Sequence, residues 1–333
     1  MSRLFDCFGR EHTYLRISVT DRCNLRCLYC MPEEGMTFME QDKLLSYSHI
    51  LEVASAAAKL GIRKFRITGG EPLVRPGLNE LVAGIAELPG VEDISLTTNG
   101  LLLAPQAAGL KQAGLTRVNV SLDTMDGARF KFIARRGNLD KVWEGIEAAA
   151  EAGLNPIKLN CVLLKGVNED EIGRFLKLSI EQPLHVRFIE YMPIGHDDAG
   201  WRGHYLPLTR VLEEAARLGY ELERAEGPGG SGPSENWRIV GGAGTFGLIH
   251  PISEHFCKNC NRLRLTADGH LKPCLYWVDE LNVKPAIGSP DAMEELFHRA
   301  MNIKPENHEM AALLAGEHQS HVPTERRMSQ IGG

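Results

Sequence analysis

The chain has 333 residues, of which 43% are apolar and 24% charged; this supports a packed core, excludes wholesale disorder and suits one large domain or about two. Its 37 Lys and Arg face 43 Asp and Glu, a net charge of −6 that argues against a general nucleic-acid coat. No apolar run reaches the ~18 residues of a membrane span, and the opening MSRLFDCFGREH lacks the apolar stretch of a signal peptide, so no membrane partner and a cytoplasmic location are expected.

In chain order, strand-like runs fall at Tyr14–Thr20, Lys64–Gly70, Asp93–Gly100, Arg117–Asp123, Pro156–Lys165 and His185–Pro193. Helix patterns lie between them near 46–60, 76–88, 105–113, 138–152 and 169–181. Six β-α alternations predict a parallel sheet with helices outside, either doubly wound or a barrel. Residues 195–223 read as a loop and an amphipathic helix around Leu208–Leu218. Gly227–Gly247 is too rich in Gly and Pro for regular structure throughout. Its Gly242-x-Gly244-x-x-Gly247 runs on into LIHPI rather than a helix, so it is no dinucleotide fingerprint. The tail Thr324–Gly333 is polar, ends in two glycines and by composition alone is expected to be disordered.

Alternation inside the strands decides more than their number. One face collects Arg16, Ser18 and Thr20, then Lys64, Arg66 and Thr68, then Ser95, Thr97 and Asn99. It goes on through Asn119, Ser121 and Asp123, then Lys158 and Asn160, then Arg187, while the other face is apolar. A closed eight-stranded barrel fills its lumen with branched apolar side chains, so a polar face implies a wet concavity in an incompletely closed six-stranded barrel. Five cations (Arg16, Lys64, Arg66, Lys158, Arg187) oppose one clear anion, Asp123. Desolvating unpaired ions costs several kcal/mol each, so they either face solvent at an edge or neutralise a bound anion such as phosphate. No G-x4-G-K-[ST] loop occurs, which leaves any nucleoside triphosphate to side-chain cations.

The eight cysteines divide into Cys23-x3-Cys27-x2-Cys30, Cys257-x2-Cys260-x13-Cys274, and the lone Cys7 and Cys161. In a reducing compartment close thiols read as metal ligands. Zinc would need a fourth donor, His12 or His49 for the first set and His250, His255 or His270 for the second. A cubane iron–sulfur cluster held by three thiolates leaves one iron open to a small molecule.

The first set follows a strand within RISVTDRCNLRCLYCMP, with Tyr29 before its third cysteine, and Gly69-Gly70-Glu71-Pro72 follows the second strand. These motifs resemble the radical S-adenosylmethionine (SAM) superfamily. Cys257-x2-Cys260-Asn261-Arg262-x-Arg264 with Cys274, together with KFRITGGEP, VNVSLDT, FIEYMPIG and Gly332-Gly333, is similar to the GTP 3′,8-cyclase family, which starts molybdenum cofactor synthesis. The resemblance runs from Arg16 to Gly333; Gly127–Gly137 departs from its pattern.

It implies an incomplete (β/α)6 partial TIM barrel (1–224) with a smaller cluster-binding C-terminal domain (225–333). It implies two [4Fe-4S] clusters, on Cys23, Cys27 and Cys30 and on Cys257, Cys260 and Cys274, the vacant iron of the second binding guanine. SAM contacts would be Tyr29, Gly70, Ser121 and Met192; GTP contacts would be Arg16, Arg66, Thr97, Lys158, Arg262, Leu263 and Arg264. Lys64 and Arg187 are further candidates for the GTP pocket. Gly332 and Gly333 would reach into the catalytic site. An electron donor such as flavodoxin or ferredoxin and a downstream cyclic pyranopterin monophosphate synthase are implied partners, with a homodimer left open. Without the resemblance, Thr97 and Ser121 read as polar strand ends, Met192 as core, and Arg262 and Arg264 as surface charge around a structural metal.

Overall fold

In the computed structural model, residues 3–195, 198–227, 232–311, 319 and 321–332 are described. The strands are β1 (Tyr14–Ser18), β2 (Lys64–Thr68), β3 (Asp93–Thr98), β4 (Arg117–Ser121), β5 (Lys158–Leu163), β6 (His185–Glu190), β7 (Leu222–Arg224), β8 (Glu235–Ile239), β9 (Thr245–Ile249), β10 (Arg262–Leu265), β11 (His270–Lys272) and β12 (Leu281–Asn282). They form one sheet in the order β12-β11-β10-β1-β2-β3-β4-β5-β6-β9-β8-β7. The run from β10 through β1–β6 to β9 is parallel throughout, and antiparallel strands flank it on both sides. β9 and β10 do not pair with each other, so the barrel stays open.

The six β-α units form the incomplete barrel expected from the alternation. Strands from the C-terminal stretch lengthen it at both edges, because β9 joins β6 and β10 joins β1. Helices cover the apolar face. Among them, α1 (Tyr47–Lys59) buries Ile50, Val53, Ala54 and Ala57, and the Ser46 hydroxyl accepts a bond from the His49 N–H at its start. Leu15, Ile17, Phe65, Ile67, Leu96, Val118, Val120 and Leu159 are all fully buried behind the sheet.

Further helices are α2 (Leu78–Ala86), α3 (Ala107–Gln112), α4 (Gly127–Ala134), α5 (Leu139–Glu151), α6 (Ile172–Glu181), α7 (Asp198–His204), α8 (Thr209–Arg217) and α9 (Pro290–Asn302). The sequence reading had no helix at α4, α7 or α9. α4 carries little apolar periodicity, and its start is set by the Asp126 carboxylate accepting the Arg129 N–H at 2.7 Å. The tail corrects a second expectation. Met328–Ile331 form a helical turn and Ile331 is fully buried, so composition misjudged this segment.

Candidate active site

A cavity of ≈ 650 Å³ runs inside the barrel, lined by residues from every strand β1–β6 and by both three-cysteine sets. Strand register sorts its wall into levels. Arg16 lies level with Arg66 on one side and Arg264 on the other; Arg66 is level with Ser95, which pairs with Arg117. Further along the strands, Thr97, Asn119 and Lys158 share a level, and Asn160 and Arg187 the next. Parallel register therefore brings Arg16 and Arg264, 248 positions apart, to one layer.

Arg66, Lys158 and Arg187, with Arg117 and Arg264 beside them, are each 6–8% exposed, which removes the solvent-edge alternative for those three of the five cations; Arg16 and Lys64 are half-buried and line the same cavity. Burial, then the neighbouring Arg187, Arg117 and Arg66, pushes Lys158 down to about 6. Arg66 is pushed down to about 9, first by burial and then by Arg16 and Arg117, with Tyr14 opposing. Burial also holds Arg187 and Arg264 well below the ordinary guanidinium value. Tyr14 offers its ring to Arg16 and Arg66 at 5.8 and 5.4 Å. Asn119 accepts from Arg187 Nη2 at 2.5 Å and itself donates to the Leu96 carbonyl. Arg16 Nε, Arg187 Nε, Arg117 Nη1 and Thr97 Oγ1 are buried with no hydrogen-bond partner among the described residues. Unsatisfied buried donors of this kind are costly, and a polyanion would satisfy them.

Sequence reasoning missed two members of this wall. Arg117 shares the polar face and makes a two-point pair with the Asp93 carboxylate. Its alternation with Asn119 was a usable signal. Lys304, after α9, is 4% exposed and donates to the Arg262 carbonyl at 3.0 Å beside the second cysteine set; no local motif marks it. Leu263 is not brought to the cavity. It pairs with Leu15 on the apolar face and is fully buried there, which leaves only its main chain to take part in binding.

At the strands' C-terminal ends the wall changes character. Cys23, Cys27 and Cys30 line the mouth with Tyr29, Gly70, Ser121 and Met192. The Tyr29 hydroxyl donates to Asp123 Oδ2 at 2.6 Å, and Asp123 Oδ1 accepts the Val162 N–H. Burial raises Asp123 to about 6 and Glu71 to about 7. Glu71 accepts from the Leu73 and Asn99 N–H groups and from Thr98 Oγ1.

Both glycines of the pair are sterically required. A Cβ on Gly69 would stand 2.6 Å from the Thr20 carbonyl oxygen, and one on Gly70 2.5 Å from that of Arg22. The chain that leads into Cys23 thus packs directly on the end of β2, and Gly70 N–H bonds Thr20 O at 2.6 Å.

The donor sets fit iron–sulfur clusters. Burial, then Asp123 and the neighbouring thiols, raises Cys27 well above its ordinary value; burial and Cys23 raise Cys30 to about 12. Leu25 N–H and Asn99 Nδ2 point at Cys23 Sγ at 3.4 and 3.9 Å, donors suited to a thiolate ligand. In the second set burial raises Cys257 to about 11, while Lys304 and Arg262 overcome burial and hold Cys260 at about 6.

Among the described residues no three His, Cys, Asp or Glu side chains converge on one ion; a cubane's ligands bind different corners and need not converge. Most histidines that zinc would need are engaged elsewhere, the exception being His255, whose Nδ1 is buried with no hydrogen-bond partner among the described residues. His12 bonds Asp6 at 2.9 Å, His250 faces Glu190 and Glu235, His270 faces Asp268, and His255 packs edge-on against His308. His49 is taken up in α1. Cys161 is fully buried in the core, Cys7 is exposed, and neither lines the cavity.

The tail enters this cavity. Met328 and Ser329 line it, and the Gly332 carbonyl accepts from Arg264 Nη1. A Cβ on Gly332 would meet Thr68 Cγ2 at 2.6 Å. Gly333 lies outside the described residues.

A three-cysteine loop after the first strand of an open barrel, set against a glycine pair after the second, defines a radical SAM enzyme. The profile of the Radical SAM superfamily matches residues 17–179, and that of Molybdenum Cofactor Synthesis C matches 184–310. Such an enzyme uses S-adenosylmethionine and an iron–sulfur cluster. The curated GTP 3′,8-cyclase of Listeria monocytogenes serovar 1/2a is 56% identical over 333 residues, all of both chains. That of Limosilactobacillus fermentum is 47% identical over the same span, and that of Pelotomaculum thermopropionicum 50% over 332 residues, covering 98% of this chain and 99% of its own. The chain belongs to the GTP 3′,8-cyclase family.

Among solved structures, Streptococcus suis SuiB bound to S-adenosylmethionine matches with TM-score 0.59 at 15% identity, over 87% of this chain and 68% of that one. Native anSMEcpe with bound AdoMet matches with TM-score 0.54 at 17% identity, over 89% and 82%. At these identities the likeness is one of fold. No described helix is long and apolar enough to cross a membrane.

Proposed function

We infer that this chain is a GTP 3′,8-cyclase, converting GTP to 3′,8-cyclo-7,8-dihydro-GTP in the first step of molybdenum cofactor biosynthesis. The observation that carries the reading is one cavity whose wall holds arginine nitrogens (Arg16 Nε, Arg117 Nη1 and Arg187 Nε) buried without a hydrogen-bond partner among the described residues, with a three-cysteine set at each end. Cys23, Cys27 and Cys30 would hold a [4Fe-4S] cluster that, with SAM and one electron, would supply a 5′-deoxyadenosyl radical for removing the ribose C3′ hydrogen; bond formation from C3′ to purine C8 would then need one further electron and a proton to give the 7,8-dihydro product.

This chain's residues place the two molecules. Arg16, Arg66, Thr97, Lys158 and Arg187 surround the triphosphate, where planar guanidinium forks pair two oxygens at once. Arg262, Arg264 and the main chain of Leu263 hold the nucleoside toward Cys257, Cys260 and Cys274, which carry a second [4Fe-4S] cluster. Tyr29, Gly70, Ser121 and Met192 hold SAM. Gly332 and Gly333 complete the wall where both molecules meet; Gly332, lacking a side chain, fits beside Ser18 and Thr68. Fixing both reactants is most of what the protein contributes to such a reaction.

Residues 1–224 act as the radical-generating partial barrel and 225–333 as the domain that adds the second cluster and the tail. The enzyme works in the cytoplasm, takes electrons from a donor such as flavodoxin or ferredoxin and passes its product to a cyclic pyranopterin monophosphate synthase; a homodimer is one assembly open to it.

The test is anaerobic reconstitution followed by dithionite, SAM and GTP. 5′-Deoxyadenosine should appear in step with GTP loss, with about eight irons per chain. SAM cleavage indifferent to GTP, or about two zincs and no iron, would overturn the reading.

A further inference from the structure

The tail is held from outside the cavity by a cluster that the reaction does not use. Arg326 Nε and Nη2 donate to the two oxygens of Glu280 at 2.8 and 2.6 Å, a bidentate pair. Its Nη1 and Nη2 also donate to Asp268 at 3.3 and 3.0 Å, and Nη2 lies 3.2 Å from His270 Nδ1. All three charged side chains are four-fifths buried. Against burial, bonds from His270, Thr266 and Arg326 hold Asp268 well below the usual carboxylate range.

The partners belong to one short element. Asp268 sits in the turn between β10 and β11, and Glu280 just precedes β12. The same element bears Arg264 on β10 and Cys274 after β11. Six residues beyond Arg326 the Gly332 carbonyl meets Arg264 inside the cavity, and just before Arg326 main-chain bonds tie the tail to the same element, Thr324 N–H to Tyr276 O at 2.6 Å and Val278 N–H to Val322 O at 3.0 Å. Between the two contacts the chain is fixed by its own turn, with Arg327 N–H bonded to Gln330 Oε1 and Gly332 N–H to Met328 O.

We propose that Arg326 is a positioning residue: its fork on Glu280 and Asp268 seats the C-terminal tail in the cavity, so that the tail and the β10–β12 element that carries Cys274 move as one unit. With the main chain tied at Val322–Thr324, the Arg326 fork fixes the direction in which the last residues leave that anchor; without it only the buried Ile331, the Ser329 contact with Met36 Sδ and the Gly332–Arg264 bond hold them in the cavity. Geometry of the fork matters more than charge here, since lysine offers no planar bidentate contact. The catalytic consequence rests on the cyclase reading; the seating itself does not.

The experiment uses anaerobically reconstituted full-length protein, comparing wild type with Arg326→Gln, Arg326→Lys and Glu280→Gln. Hydrogen exchange by mass spectrometry is read separately over 328–332 and 262–282, alongside kcat and KM for GTP. Arg326→Gln and Glu280→Gln should lose about ten-fold or more of the amide protection in 328–332 and keep it in 262–282. Their kcat should fall about ten-fold, with a much smaller change in KM. Arg326→Lys should lie between these variants and wild type. Unchanged protection of 328–332 overturns the proposal, and so does equal loss over 262–282, which would make the cluster a brace for the hairpin alone. A wild type that consumes no GTP defeats the cyclase reading, yet the exchange arm still decides the seating.

Discussion

The two ends of the cavity are built from opposite materials. The end near Cys23, Cys27 and Cys30 is made of close backbone contacts and two buried carboxyls, Asp123 and Glu71. The end near Cys257, Cys260 and Cys274 is walled by Arg16, Arg66, Arg117, Lys158, Arg187, Arg264 and Lys304. The two ends therefore differ in the sign of most of their buried charge, with Arg26 beside the Cys23 carbonyl the exception at the first end. SAM carries a sulfonium, an ammonium and a carboxylate, net positive, and GTP a polyphosphate. The difference teaches that the polar face is one wall with two electrostatic halves.

The largest expected effect comes from removing one end outright. Cys23→Ala should abolish SAM cleavage. Cys257→Ala should retain it, lose GTP conversion and hold about half the iron, as measured by anaerobic iron and sulfide assay. Retention of both clusters by Cys257→Ala would break the two-ended picture.

Next in size is a substitution within the basic half. Arg187→Ala should weaken GTP binding by about 2–3 kcal/mol, roughly 30–150-fold, by calorimetry, and leave SAM binding unchanged. An equal loss for both ligands would mean that the halves are not electrostatically separate.

The pH dependence is smaller and has a definite sign. Without an anion Lys158 is held at about 6 by burial and by Arg187, Arg117 and Arg66. A triphosphate beside it restores an ordinary amine value, so binding takes up a proton above pH 6. Affinity should then fall by up to about ten-fold per pH unit between about pH 7 and 9. Calorimetry in buffers of different ionisation enthalpy reads that proton directly. Lys158→Met should flatten the slope; a slope that survives assigns the proton elsewhere.

The smallest expected effect lies in the acidic half. Asp123→Asn keeps the shape beside Tyr29 and removes the charge, so the KM for SAM should rise a few-fold, about 0.5–1 kcal/mol, with GTP binding unchanged.

Much of this was legible in the sequence because strand alternation is strict. Arg16, Arg66, Lys158 and Arg187 were placed on one face by period two alone, and register then stacked them. Cys23 and Gly70 were legible as motifs because each needs a particular residue type. Arg117 escaped because it opens its strand beside polar residues and its partner Asp93 opens another. Lys304 escaped because its position depends on how α9 packs, which periodicity does not encode. The tail was misread because glycines near a chain end suggest disorder, whereas here their lack of side chains fits a crowded interior.

The open barrel has a consequence for how the chain matures. β1 and β6 each pair on one side with a strand supplied after residue 240. Until those strands are translated, the first six units present two bare edges with unpaired N–H and C=O groups. A chain stalled or truncated before β9 should therefore be a sticky intermediate, prone to edge-to-edge aggregation, and a soluble protein should emerge only once the last hundred residues have closed over both flanks.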